Sequence, residues 1–182
     1  MTVTLDDLKM CDAAIDETVA ASHLERFGDA YFAAFDAAAV AQHVSAAAAL
    51  SPRQPLQVLV RGGAGRELAC TVVAYNYPAE FSLITGMLSA TGFVILSGDV
   101  FTARPIPAPA PRRGRRRRGG PQAAARRRYI IDRFRGELQE DESPETWADR
   151  FARELEPVLA LLEKGGDNAA GEAKHRVNER VS

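Results

Sequence analysis

The sequence predicts an α+β chain: an antiparallel sheet with two helices on one face, preceded by an N-terminal helical segment. Three observations carry this expectation. Short apolar, β-branched runs bounded by Gly, Pro and Asn recur after residue 55. Helix-period segments occupy residues 4–50 and follow Ser143. Between them, Arg66–Thr102 reads strand, turn, helix, turn, strand.

Thr4 suits the cap of a first helix, with Asp6 and Asp7 at the positive end of its dipole. Leu5, Leu8, Ile15 and Val19 supply its apolar stripe, and Tyr31, Phe32 and Phe35 are aromatic packing anchors. Asp36 caps a further helix that ends near Leu50. Ser51-Pro52-Arg53-Gln54-Pro55 links this segment, residues 1–50, to the sheet.

Leu56–Val60 forms a short strand, and Gly62-Gly63-Ala64-Gly65 a hairpin turn that pairs it antiparallel with 67–75. The glycines lack the Lys-Ser/Thr and the strand-to-helix setting of a phosphate loop. Pro78 breaks the second strand, because it removes a backbone donor and restricts its neighbour. Phe81, Ile84, Met87 and Leu88 follow at helical spacing, Gly92 stops the helix, and Val94–Phe101 returns as a strand. Tyr129–Gly136 is the next strand, its alternation too irregular to assign faces. Ser143-Pro144-Glu145 starts a helix with Trp147, Phe151, Leu155, Leu159 and Leu162 on one side, kinked or narrowed at Pro157 and ended by Gly165-Gly166.

The turn Asn76-Tyr77-Pro78-Ala79-Glu80-Phe81 and the strand Ile95-Leu96-Ser97-Gly98-Asp99-Val100-Phe101-Thr102 resemble the ACT domain, a small βαββαβ, ferredoxin-like module that binds amino acids, usually as a dimer. They are most similar to the ACT repeats of bacterial PII-protein uridylyltransferases, which read Asp-x-Pro-Gly-Leu-Phe and Ile-x-x-Ala-x-Ile-Phe-Thr. Glu25–Val44 is similar to the linker before those repeats, and Asp132-Arg133-Phe134 matches their Asp-x-Phe strand. The resemblance spans roughly residues 25–163. Asn76 and Ala79 stand where the family carries Asp and Gly, so the Ala79 Cβ occupies space through which a ligand reaches the backbone.

The resemblance implies an ACT-like domain over 51–165, a homodimer, and effector contacts from Asn76, Tyr77, Pro78, Ala79, Glu80 and Phe81, with Ser97 and Asp99 across the interface. The effector would be an amino acid, glutamine among the candidates, acting on a nucleotidyltransferase domain of a longer parent chain. The other reading of the turn is structural, and of Asp99 an outward-facing strand residue. The polar residues 166–182 offer no final strand and read as a flexible tail. Strand 56–61 is therefore expected to fill the slot of the missing fourth strand.

Residues 103–128 read as a disordered insertion of alternating prolines followed by nine arginines: Arg112, Arg113, Arg115, Arg116, Arg117, Arg118, Arg126, Arg127 and Arg128. Without them the chain has about −10 net charge, against −1 overall. This segment carries the alternative function, polyanion or nucleic-acid binding, although it lacks interleaved aromatics for base stacking. A purely structural ACT-shaped scaffold is the third reading.

Composition and motifs narrow the rest. The longest apolar run, near Ala37–Leu50, is broken by Gln42, His43 and Ser45 and cannot span a bilayer. The acidic N-terminus lacks the features of a secretory signal, and Cys11 and Cys70 fit no disulfide or metal pattern, which points to the cytoplasm. His23, His43 and His175 are scattered and read as surface or helix-packing residues rather than metal ligands. No catalytic residue, cofactor or nucleotidyltransferase signature is expected.

Overall fold

The computed structural model describes residues 3–63, 66–106, 127–165 and 168–181. Among these residues it is α+β, with seven helices covering a four-stranded antiparallel sheet. Four helices come first: α1 (Leu5–Cys11), α2 (Glu17–Arg26), α3 (Asp29–Ala34) and α4 (Ala37–Ala49). Thr4 and Asp7 form a reciprocal capping box on α1, and Asp16 and Asp36 cap α2 and α4 through their carboxylates. Leu8 and Ile15 are buried as expected, but Val19 is exposed and Ala20 and His23 take the inward positions.

The strands are β1 (Leu56–Gly62), β2 (Glu67–Tyr75), β3 (Phe93–Thr102) and β4 (Tyr129–Leu138), with α5 (Glu80–Ala90) between β2 and β3. Their order is β1-β2-β4-β3. β1 pairs with β2 from Leu56–Ala74 to Gly62–Leu68, so the preceding strand does lie in the slot beside β2. β4 lies between β2 and β3, antiparallel to both, so β2, α5 and β3 make a split β–α–β unit. Leu96 is left out of the β3–β4 register as a bulge. Gly136 faces that irregularity. A Cβ there would lie 2.1 Å from the Val94 carbonyl oxygen, so only glycine permits this close approach.

The sheet is buried on both faces, which corrects the expectation of helices on one face only. α5 and α6 (Pro144–Lys164) cover one face, where Trp147 stacks between Phe93 and Phe151 at 5.2 Å from each. Its indole N–H donates to the Thr91 carbonyl at 3.0 Å, satisfying the buried polar atom. α6 runs on through Pro157 to Lys164. The N-terminal helices do not merely precede the sheet. They pack on its other face, where α4 meets β1 and β2 and the Tyr75 hydroxyl donates to the Leu50 carbonyl.

The expected flexible tail is also corrected: residues 169–181 form α7 (Ala169–Val181). Ala173 and Val177 are buried where α7 docks on α5 and α6. The polar composition concealed two small apolar residues four apart, enough for one docking stripe. Gly86 makes the contact possible, since a Cβ there would meet Val177 Cγ1 at 2.6 Å. Gly86→Ala should therefore loosen α7 despite a helix-propensity gain of about 1 kcal/mol. Hydrogen exchange across 169–181 should rise in Gly86→Ala and return to the parental rate in Gly86→Ala/Val177→Ala.

Candidate functional site

At the end of β2 the chain turns through Asn76, Tyr77, Pro78 and Ala79 into α5. Ala79 adopts φ 65°, ψ 9°, the one non-glycine residue at positive φ among those described. It holds the left-handed conformation that glycine takes at little cost, and as N-cap it offers no side-chain bond. The turn is tied down on both sides. Asn76 N–H donates to the Arg128 carbonyl at 3.0 Å, and the buried Tyr77 hydroxyl donates to Glu163 at 2.6 Å. Glu163 also pairs with Arg127 at 2.7 Å, and the Arg127 guanidinium lies 4.0 Å from the Tyr75 ring centroid. The hydrogen bond from Arg127 holds the Glu163 carboxyl below its usual range.

Within the turn, Glu80 folds back to accept the Tyr77 N–H. It is buried, and burial pushes its carboxyl up to about 7, opposed by that bond and reinforced by the charge of Asp132. Asp132 is 1% exposed and neither carboxylate oxygen meets a hydrogen-bond donor. Burial pushes it up to about 7 as well; the Phe101 N–H, outside hydrogen-bonding geometry, offsets only part of this. Two buried carboxylates thus stand beside the first turn of α5, and the second lacks a partner.

Ser97 and Asp99 are not brought to this turn within one chain. Ser97 is exposed on β3. Asp99 faces the N-terminal helices, where Arg133 Nε and Nη2 donate to one of its oxygens at 3.0 and 2.5 Å. Arg133 also donates to the Ala34 carbonyl and lies over the Phe35 ring. Asp99 is therefore an internal ion-pair partner rather than a free outward acid.

The same face holds a buried line of aromatic and imidazole groups. Tyr129 OH lies 2.9 Å from His23 Nδ1, His23 Nε2 lies 3.0 Å from Tyr31 OH, and Tyr31 OH lies 2.7 Å from His43 Nδ1. Burial drops His23 to about 3 and His43 to about 4, so both rings are neutral near pH 7, and it pushes Tyr129 up to about 12. Helix packing, one of the two readings of His23 and His43, is what they do; His175 is exposed and lies 3.4 Å from Glu179.

Arg112, Arg113, Arg115, Arg116, Arg117, Arg118 and Arg126 lie outside the described residues. Arg127 and Arg128 belong instead to the foot of β4, and the Arg127 side chain is committed to Glu163 and Tyr75. Arg26 joins the two stems of this excursion, donating to the Arg104 carbonyl at 2.8 Å and the Arg127 carbonyl at 2.7 Å. Sequence reasoning missed Asp132 and Arg133 as placed charges. The available signal was an acid inside the apolar run Tyr129–Phe134. Among the described residues no group of His, Cys, Asp and Glu is placed to hold a metal ion, and no helix is long and apolar enough to cross a membrane. Comparison with protein-family models and with curated proteins finds no match for this chain.

Ala79→Gly should stabilise the fold by roughly 0.5–1 kcal/mol in urea unfolding, since it relieves a left-handed alanine. Asp132, with its pKa raised in the folded state, contributes stability that is full below about pH 4 and lost as pH rises through about 7. Asp132→Asn removes that loss, so its stability relative to the parent should climb by roughly 2–4 kcal/mol between pH 4 and pH 8. The two histidines act with the opposite sign: their contribution is present above pH 6.5 and lost as pH falls toward 4 and 3. Urea unfolding at a series of pH values in both proteins separates these slopes.

Proposed function

We propose that this chain is a non-catalytic regulatory module of the ACT type that senses a small amino-bearing effector, an amino acid such as glutamine. The observation that carries this reading is the left-handed turn at Ala79, which leads into α5 beside buried Glu80 and the unpaired Asp132. An ammonium group reaching those carboxylates would stabilise their charged forms, while the first turn of α5 favours a carboxylate. Position 76 lacks the family's acid, and Glu80 and Asp132 supply negative charge from another direction. Strand order β1-β2-β4-β3 supports a ferredoxin-like sheet in which β1 takes the place of the final strand.

The module acts as a homodimer. β3 is an edge strand with Val94, Leu96 and Val100 exposed, and a second copy would cover it and bring Ser97 near the turn. Effector binding regulates a nitrogen-signalling nucleotidyltransferase in the cytoplasm by favouring one arrangement of the pair over another.

Thermal unfolding against a panel of amino acids tests this. One amino acid should raise the midpoint saturably, with about 2.7 kcal/mol of stabilisation at a hundred times its Kd. Glu80→Gln should fold and lose the shift. A flat response to the whole panel would replace the sensor with an ACT-shaped scaffold.

A further inference from the structure

On the sheet face opposite the turn, a cleft of about 210 Å³ opens between α4 and the strands. Its polar lining is Gln42, His43, Arg61, Thr71, Arg133 and Arg135. We propose that this cleft binds a small dianion bearing a phosphate or an equivalent pair of negative oxygens, at a site separate from the turn.

Charge and geometry both favour an anion. Three guanidiniums converge here, from β1 and from alternate residues of β4, and among the described residues two carboxylates pair with them. Asp99 sits close to Arg133 at 2.5 Å but 3.6 Å from Arg135, and Asp36 is 3.7 Å from Arg61. Arg61 and Arg135 are therefore loosely engaged, with 59% and 52% of their side chains exposed. Arg133 is different: it is 12% exposed and fixed by Asp99, Ala34 and Phe35. A rigid guanidinium at the floor and two adaptable ones at the rim form a fork for anionic oxygens.

His43 completes the set. Its Nδ1 is taken by the Tyr31 hydroxyl, so Nε2 is the nitrogen left for the cleft. The line from Tyr129 through His23 and Tyr31 accepts either direction of hydrogen donation. An anion selects the direction in which His43 Nε2 carries the hydrogen and donates it. The volume lies below the roughly 300–1,000 Å³ of pockets for drug-sized ligands, which matches a small anion.

Asp99 is then an internal competitor for Arg135, and this makes the site testable in the full chain. Inorganic phosphate is titrated at constant ionic strength, with chloride as control, by calorimetry and thermal unfolding. Phosphate should bind saturably and chloride should not. Arg61→Gln/Arg135→Gln, changed only at rim positions, should fold as the parent does and bind at least about tenfold more weakly. Asp99→Asn, which keeps a side-chain oxygen for Arg133 but removes the charge that competes for both arginines, should bind roughly 2–5-fold more tightly. Absence of saturable binding overturns the site. So does an unchanged response in Arg61→Gln/Arg135→Gln, which would assign the phosphate to the arginines of 107–126 instead. Neither result bears on the amino-acid response at the turn, which uses Glu80 and Asp132.

Discussion

Everything in this chain depends on β4 being an interior strand buried on both faces. Its odd positions, Tyr129, Ile131, Arg133 and Arg135, point to the N-terminal helices; its even positions, Ile130, Asp132, Phe134 and Gly136, point to α5 and α6. An interior strand normally reads as continuous apolar sequence, because a buried polar side chain costs free energy without a partner. Here three polar side chains are carried inward. Tyr129 and Arg133 are satisfied on one face by histidine, carboxylate and backbone oxygen. Asp132 on the other face is not. The asymmetry locates the two candidate sites: a prebuilt cluster of cations above the sheet and an unrelieved acid below it.

The N-terminal helices are held to the sheet by the same logic. His23, Tyr31 and His43 come from three different helices, and both nitrogens of His23, both hydroxyls and His43 Nδ1 each face another member of the line. Apolar packing of Phe27, Tyr31, Phe35 and Phe101 supplies the attraction, with ring centroids 4.3–5.5 Å apart for Phe27–Tyr31, Tyr31–Phe35, Tyr31–Phe101 and Phe35–Phe101. The polar line then fixes register, because sliding one helix would leave several buried groups unsatisfied at once. Burial drives both imidazoles toward neutrality, because a charged ring inside this layer would lose its hydration.

Much of the architecture was legible in the sequence, and the failures share a cause. Strand 56–62 could be placed beside β2 because a glycine turn forces antiparallel pairing and no later strand competed. The start of α6 was written in Ser143 and Pro144. What could not be read was any property set by packing between distant elements. An alanine-rich α4 looks the same whether it covers a sheet or stands alone, so the second helical layer stayed hidden. α7 looked like a tail because its docking stripe is only Ala173 and Val177, and its partner is a glycine in α5. For the candidate site, the turn at 76–81 was visible as a proline break, but the left-handed Ala79 and the approach of Asp132 to Glu80 were not. The first is a backbone state that alanine rarely takes, and the second depends on strand order.

The turn is joined by side-chain contacts to Arg104 and Arg127. Arg26 bonds to carbonyls on both stems, and its guanidinium lies 4.6 Å from the Tyr129 ring centroid. Arg127, on the second stem, grips Glu163, and Glu163 accepts the Tyr77 hydroxyl. Arg127, Glu163, Tyr77 and Glu80 thus form a continuous chain of hydrogen bonds from β4 into the turn. The contacts are charge-assisted and partly buried, so they are stiffer than ordinary surface pairs. Tyr129 carries the other end of the connection into the imidazole line that terminates at His43. The two faces of the sheet thus meet at the foot of β4, where Arg26, Arg127 and Tyr129 join Arg104 to the residues beside the turn.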